Sequence, residues 1–486
     1  MRLSRAVLPA LLTSSALALP AALQAQHIAI KTVPVPTGEQ FSIFPSLTMG
    51  MADVHVAVDD PMMDPFWNPS RGALANQLLL YALPTFYGET NDWVAGRSLP
   101  LAAVIPGRRF FGAAAFALQQ LGDTRRTGIW VPMPGGSNIR DNSSSNVYVF
   151  GAVGARLTGR TSIGISAYRA DLEAVDGVNM LYGNSSAIEQ SGDLTEFRIG
   201  GLHEFGADRR LDAIVLTSRT DMKHDVHYVD WTDWSAPVSW SELNEDRTIT
   251  WAAQLRYTQP VVETARLGLM IAGNTKAHPK IPNYNIVNIP RDPGNSAMFN
   301  IGVGISNAAG PAIVGAEVIY EPGRSHTWAY ADSAITTPTG SIPAGGRTID
   351  NQFRFSNWSV GVGAQWESER VGLQAGLRLH ETRYTLDQEN FLTATRRDTR
   401  ESWMEWAPSW SGVVKLSEFD LRYTGRFSAN GWPQNQWGWG FGFVSAERTM
   451  STPGGIDFVV GPTGEVWLPE YRVTTHRFTL SVPFGR

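Results

Sequence analysis

Thr248-Ile249-Thr250-Trp251-Ala252-Ala253-Gln254-Leu255-Arg256-Tyr257 alternates between two kinds of residue. Ile249, Trp251, Ala253, Leu255 and Tyr257 fall on one face, Thr250, Ala252, Gln254 and Arg256 on the other. Successive side chains of a strand point to opposite faces, so this stretch reads as a strand with one apolar and one wet side. The pattern returns at Phe419–Phe427, where Phe419, Leu421, Tyr423 and Phe427 oppose Asp420, Arg422, Thr424 and Arg426. Lipid outside and a hydrated lumen inside require that division.

Outward from this stretch, alternating runs are joined by connections of two kinds. Short turns fall at Pro106-Gly107, Thr158–Thr161, Gly206–Arg209, Gln259–Val261, Ala308–Pro311, Glu367–Glu369 and Leu416–Glu418. Long polar connections fall at Asp123–Ser145, Glu173–Gly192, Asp221–Leu243, Lys276–Gly294, Pro322–Asn351, Thr385–Thr399 and Asn430–Glu470. A soluble sandwich need not sort its connections by length, whereas a membrane barrel has short turns on one rim and long loops on the other. The seven short turns join fourteen strands, and an opening strand at Asn76–Tyr87 with a closing one at Tyr471–Phe484 makes sixteen. The expected fold is all-β: a transmembrane antiparallel β-barrel of about 16 strands, or 14 without the first hairpin. Trp251, Tyr257, Tyr320, Trp358, Trp366, Trp406, Trp410 and Tyr423 recur near strand ends, as an aromatic girdle at the membrane interfaces does.

Composition agrees. Of 486 residues only 17% are charged, while Gly numbers 47 and Trp 17, a departure from soluble domains, where about 25% are charged. Cysteine is absent, which excludes a disulfide framework, a thiolate nucleophile and a zinc ribbon. A net charge of −5 with scattered basic residues offers no stripe for nucleic acid. Residues 1–25 read as a secretory signal: Arg2 and Arg5 precede the apolar run Ala6–Leu19, and Ala25 precedes the expected cut before Gln26. No later apolar run reaches the about 18 residues of a spanning helix. The expected layout is signal (1–25), N-terminal periplasmic segment (26–75) and barrel (76–486), exported to the bacterial outer membrane.

Just ahead of the barrel stands Met49-Gly50-Met51-Ala52-Asp53-Val54-His55-Val56-Ala57-Val58-Asp59-Asp60-Pro61, then Asp64-Pro65-Phe66-Trp67-Asn68-Pro69-Ser70. Pro65 and Pro69 disfavour helical geometry in the residues before them. Asn68 can tie its side chain to nearby backbone, and the Asp59–Asp60 pair suits hydrogen bonds from lumen arginines. In its order the stretch resembles the N-terminal signature of the FadL-like superfamily of outer-membrane long-chain fatty-acid transporters. There a Gly-rich segment and an apolar run lead to an acidic pair, then to an aromatic residue with Asn-Pro-Ala. Here Ser70 stands for the Ala and Met51-Ala52 for a Gly-Gly. The resemblance covers Met49–Ser70 and the overall layout, not the loops. It implies a hatch folded into the barrel mouth, with Asp59, Asp60, Pro61, Phe66, Trp67, Asn68, Pro69 and Ser70 as its residues. It also implies a barrel usually of fourteen strands. The last strand, Arg477–Phe484, resembles the terminal strand by which the outer-membrane assembly machinery recognises barrels, although Gly485-Arg486 trail the aromatic.

Arg256, Arg378, His380, Asp420, Arg422 and Arg426 are expected to line the lumen, with Arg156, Glu196, Arg198, Glu317, Glu405, Lys415 and Arg477. They form either a selectivity lining for a polar or anionic solute or a salt-bridged interior that holds strands and hatch in place. In Gln436–Phe443, Trp437, Trp439, Phe441 and Phe443 alternate with glycines. With Trp432 they are expected to form an external apolar patch that collects a hydrophobic ligand, or else a strand extension packed under its own loop. His224 and His227 face opposite sides of a strand, so no metal is expected there. No cofactor is implied, and no Gly-x-Ser-x-Gly elbow frames a nucleophile, so an enzyme is not expected. The expected function is passive uptake of small hydrophobic or amphipathic compounds through a hatch-gated barrel. The alternative is a barrel that docks a partner protein at the cell surface. Expected partners are outer-membrane lipid, a hydrophobic small molecule and the assembly machinery, not nucleic acid.

Overall fold

Antiparallel pairing runs unbroken around the chain. A computed structural model describes residues 40–89, 95–122, 143–175, 186–230, 236–278, 294–331, 333–430 and 472–484. Residues 1–25 and the loop aromatics Trp432, Trp437, Trp439, Phe441 and Phe443 lie outside them. The strands are β1 (Leu78–Ala82 and Thr85–Glu89), β2 (Ala95–Ile105), β3 (Phe110–Gly122), β4 (Ser143–Arg156), β5 (Thr161–Leu172), β6 (Ala187–Gly206), β7 (Arg209–Asp230) and β8 (Val238–Pro260). They continue as β9 (Ala265–His278), β10 (Gly294–Ala309), β11 (Ala312–Tyr330), β12 (Arg347–Glu367), β13 (Val371–Asn390), β14 (Thr395–Lys415), β15 (Asp420–Asn430) and β16 (Arg472–Phe484). Each strand pairs with its neighbours in sequence, and β16 returns to β1 with Leu78 opposite Phe484, closing a barrel of sixteen strands. The first strand is interrupted at Leu83-Pro84, but Phe478 N still donates to the Pro84 carbonyl at 2.9 Å, so the seam stays bonded.

The alternation read from the sequence is the alternation of the wall. On β8, Trp251 and Leu255 are exposed, while Thr250, Gln254 and Arg256 are buried. Exposed apolar side chains crowd the half nearest the short turn on several strands, for example Val360, Val362 and Trp366 on β12 and Val371, Leu373 and Leu377 on β13, while β8 also exposes Val238, Trp240 and Leu243 near its far end. Trp358 and Trp366, both outward on β12, are eight residues apart, which is ~26 Å along a strand and ~20 Å along the axis of a barrel with strands tilted by ~40°. That is close to the apolar belt of a lipid-embedded barrel. Above Trp251 and Trp358 the outer face turns to exposed ion pairs, with Asp221 between Arg219 and Arg247, and Arg383 on Glu381 at 2.7 Å.

Three expected long loops are mostly strand. Pairing continues to Asp230↔Val238, Tyr330↔Arg347 and Asn390↔Thr395, so Asp221–Leu243, Pro322–Asn351 and Thr385–Thr399 are largely hairpin arms standing above the apolar belt. Above the apolar belt the outer face turns polar, so the outward hydrophobic period is lost while the backbone ladder goes on. A small hairpin, Ile335–Thr337 with Gly340–Ile342, caps the second of these.

Candidate functional site

Ahead of β1 the backbone from Gln40 to Asn76 forms no strand; it holds only a one-turn α-helix, Asp64–Trp67, and 3-10 turns at Thr48–Met51 and Pro69–Leu74. Such a stretch leaves most of its own N–H and C=O groups unpaired, and those groups must find partners if buried. Side chains on the inward face of the strands supply them.

The contacts follow the ring of strands. Arg477 on β16 donates to the Ser42 and Phe44 carbonyls, and Gln374 on β13 to the Leu47 carbonyl at 3.0 Å. Ser409 on β14 accepts from Ala52 N at 2.8 Å. Arg378 on β13 donates to the Ala52 and Asp53 carbonyls, both at 2.9 Å, and to Glu317 on β11 at 2.7 Å. Glu317 in turn accepts from the His55 and Val56 amides at 2.8 and 2.9 Å. Arg256 on β8 donates to the His55 carbonyl at 2.8 Å, and Ser306 on β10 to that of Ala57 at 2.9 Å. Further along, Arg198 on β6 reaches the Phe66 and Trp67 carbonyls, Ser162 on β5 that of Ser70, and Arg156 on β4 that of Ala73. A hydrogen bond from a charged donor contributes about 1.5–3 kcal/mol, so this series fastens the segment strongly.

Close approach needs room as well as donors. A Cβ at Gly268 on β9 would sit 2.0 Å from the Val56 carbonyl oxygen, and one at Gly200 on β6 would sit 2.0 Å from Asn68 Oδ1. Only glycine lets the segment lie on the wall at these two places. Ala52 and Asp53 adopt left-handed backbone with φ of 57° and 53°, a region costly for residues with a Cβ. Ser409, Arg378 and Arg426, which pairs with the Asp53 carboxylate, hold that conformation.

Charge concentrates at one point. The Arg71 guanidinium, with 1% of its side chain exposed, lies 2.7 Å from Asp59, 3.1 Å from Asp64 and 3.6 Å from Asp212 on β7. Asp59 also meets Arg266 on β9 at 2.7 Å and Arg210 on β7 at 2.9 Å. Burial would raise the Asp59 carboxyl, but Arg71, Arg266 and Arg210 hold it well below the usual carboxylate range. Burial pushes Asp64 up to about 7, with Asp59 and Asp60 adding to the rise against the pull of Arg71. At His55 burial favours the neutral ring, but the neighbouring Glu317 carboxylate raises it above its ordinary value.

Asp60 departs from expectation. Among the described residues it forms no ion pair with a lumen arginine; its carboxylate accepts from the amides of Leu47, Thr48, Met62 and Met63 at 2.9–3.1 Å and from the Ser46 and Thr48 hydroxyls. Asp60 organises its own segment, and Asp59 faces the barrel. Pro61 is exposed beside it. Asn68 Oδ1 accepts from Ser70 N at 3.1 Å and starts the turn at Pro69. Phe66 is fully buried, and Trp67 lies under the Arg198 guanidinium at 5.2 Å. Of the expected lumen residues, Arg256, Arg378 and Arg426 contact the segment, His380 binds Glu321 at 3.1 Å, and Arg422 donates to Ser411 at 3.2 Å. Asp420 starts β15 near the short-turn rim. Asp64, Arg71, Arg210, Asp212 and Arg266 did not stand out in the sequence, because nothing local distinguishes them from surface charges.

The segment also carries apolar side chains into the lumen. Phe44 stacks on Phe66 at 5.2 Å and meets Phe150 of β4 edge-on at 5.1 Å; Phe41 meets Tyr148 at 6.2 Å. Tyr168, Leu172, Leu194, Met222 and Val226 extend this cluster over β5–β7.

The sequence matches no known family model and no curated protein. Among solved structures the chain is similar to a FadL homologue from Pseudomonas aeruginosa, at 11% identity and a TM-score of 0.44 over 93% of this chain and 100% of that one. It is also similar to the CymD monoaromatic hydrocarbon channel, at 9% identity and a TM-score of 0.39 over 91% and 98%. A third similarity is to the FrpB iron transporter from Neisseria meningitidis, at 9% identity and a TM-score of 0.38 over 74% and 63%. The chain thus spans less than two thirds of the iron transporter's length.

Proposed function

We propose that this chain is an outer-membrane barrel of the bacterial envelope that admits small hydrophobic or amphipathic compounds passively, with the segment ahead of β1 as its hatch. The observation that carries the reading is the apolar inner wall. Barrels that conduct ions and polar solutes have polar interiors. Here Tyr148, Phe150, Tyr168, Leu172, Leu194, Met222 and Val226 face inward on β4–β7 and meet Phe41, Phe44 and Phe66 of the segment. The lumen arginines do not act as a selectivity lining in this account, because Arg156, Arg198, Arg256, Arg378 and Arg477 are engaged by carbonyls of the segment. They are fasteners, and the solute path is apolar.

Purified barrel reconstituted in liposomes is expected to accelerate uptake of an apolar solute such as ethylbenzene or a fatty acid over protein-free liposomes, without a nucleotide. Uptake no faster than in the protein-free control across a panel of apolar solutes contradicts the proposal. A surface dock on the tall hairpins of β7–β8 and β13–β14 is the competing reading. It expects that null uptake together with stoichiometric capture of one protein from solubilised membranes.

A further inference from the structure

Arg354 and Arg324 stand directly opposite each other across β12 and β11. Both are exposed on the outer face, since Phe353, Phe355 and Ser325 beside them are buried. Thr385 follows opposite Arg354 on β13, and Arg400 opposite Thr385 on β14. Arg400 is exposed too. Three outward guanidinium groups thus lie in one row across four neighbouring strands, spanning ~14 Å at the usual strand spacing. Like charges directly opposed on a sheet are destabilising, and among the described residues none of the three has an ion-pair partner. Of the carboxylates on this face, Glu381 is held by Arg383 and Asp387 by Arg396, each at 2.7 Å, and Asp398 stands opposite Asp387.

Elsewhere on the barrel the same level is built differently. Arg354 lies four residues beyond Trp358, and Arg247 on β8 lies four residues beyond Trp251. Each tryptophan is nine residues from the short-turn end of its strand, Glu367 and Pro260, so the two arginines share a level. Arg247 faces Asp221 across β7, and Asp221 pairs with both it and Arg219. On β5, Arg169 has Asp171 at 2.8 Å and Asp193 of β6 at 3.6 Å. The protein neutralises its outward arginines on β5–β8 and leaves the row on β11–β14 uncompensated. Below that row Trp358 packs on Tyr320 with ring centroids 4.5 Å apart, and such rings mark the membrane interface. Four residues are ~13 Å along a strand and ~10 Å along the barrel axis. An arginine stem can swing its charge back toward the interface, where the headgroup layer is ~5–8 Å deep. The charges of the row therefore reach lipid headgroups.

We propose that Arg324, Arg354 and Arg400 form a docking site for an anionic lipid of the outer leaflet whose headgroup carries more than one phosphate. Guanidinium groups match phosphate oxygens in a bidentate geometry, and three of them exceed the charge of a single phosphodiester. The lipid supplies the anions that the sheet omits here, and its acyl chains lie along the exposed Val360, Val362 and Leu377 below. The assignment rests on the barrel's placement in the outer membrane and does not depend on the solute it admits.

Microscale thermophoresis of the detergent-purified barrel compares diphosphoryl lipid A with the same lipid stripped of both phosphates and with phosphatidylglycerol. The diphosphoryl form is expected to bind at least about tenfold more tightly than either, with an affinity that falls as salt is raised. Arg324→Gln with Arg354→Gln should bring it to the level of the stripped lipid. Arg219→Gln with Arg247→Gln, which leaves the row intact, should change it by less than about twofold. Heat-modifiable migration on gels reports folding, and Arg354→Gln alone repeats the test if the double variant does not fold. Inorganic phosphate and pyrophosphate are titrated as competitors. Displacement only far above the lipid's own concentration supports a lipid site, whereas displacement at that concentration assigns the row to a free anion and overturns the proposal. Equal binding of the three lipids by the parent, unchanged affinity in the folded row variants, or an equal loss in both variant pairs overturns it as well. Insertion of the parent into liposomes is read separately: a barrel that inserts without any lipid preference loses the docking site and keeps its place in the membrane.

Discussion

Removing residues 26–75 is expected to turn a nearly closed barrel into an open pore, raising single-channel conductance in planar bilayers by about tenfold or more, since sixteen strands enclose an aqueous channel once nothing fills it. The barrel should survive the deletion. Its closure rests on main-chain pairing of β16 with β1 and β15, as in Leu78↔Phe484, and none of those bonds involves the segment. Cutting after Ala75 removes Arg71, Asp59 and Asp64 together and leaves Arg210, Asp212 and Arg266 on the wall. The arginines left behind, Arg198, Arg256 and Arg378 among them, exchange carbonyl partners for water that enters the lumen. Unchanged heat-modifiable migration with parental conductance would show that the segment does not close the lumen.

Asp59→Asn is the point substitution with the largest expected effect. Three guanidinium groups within 2.9 Å of this carboxylate lose their common anion, and two of them, Arg210 and Arg266, belong to the wall. Breaking a largely buried ion pair costs about 3–5 kcal/mol, and with a quarter of the Asp59 side chain exposed about 2 kcal/mol is expected, roughly thirtyfold in the open-to-closed ratio. Asp64 gives the same cluster a pH dependence. Its folded value near 7 lies above the ordinary 3.8, so the docked segment holds a proton that the freed segment releases. Its stabilisation is complete below about pH 4 and is lost as pH rises through about 7. His55, also raised, acts in the same direction, whereas Asp59 loses its contribution only in strong acid. Conductance of the parent is therefore expected to rise severalfold from pH 5 to pH 8, and Asp64→Asn should flatten most of that rise. A parent profile that is flat or falls over this range contradicts the assignment.

How much of this was legible depends on what the chain touches. Thr248–Tyr257 reads as a strand because its outer face meets an apolar environment and its inner face does not. Thr385–Asn390 and Thr395–Thr399 do not read that way, although Leu386↔Thr399 and Asn390↔Thr395 pair in the same ladder, because their outer face is polar and the outward apolar period is gone. The stretch at Met49–Ser70 stood out by its residue order, yet the way it is held did not. Most of its fasteners grip carbonyl oxygens, and every residue has one, so Ala52, His55 and Ala73 carry no mark of their role. The acidic pair shows the same limit. Asp59 and Asp60 are adjacent and chemically alike, and only the fold turns one toward arginines and the other onto its own amides. One signal was present and passed over: in Val360-Gly361-Val362-Gly363 the valines face out and the glycines face the segment, so the alternating glycines trace where backbone approaches the wall.

The chain has no cysteine of its own, which makes a lock between segment and wall a clean experiment. A Cβ at Gly304 on β10 would lie 2.9 Å from that of Val56, within about 1 Å of the disulfide spacing of roughly 3.8 Å. Val56→Cys with Gly304→Cys is expected to oxidise in the folded barrel, to stop ethylbenzene uptake into liposomes while oxidised, and to restore it on reduction. Two freely alkylated thiols in the folded protein, or a locked barrel that still takes up the solute at the reduced rate, would contradict a segment that gates the lumen.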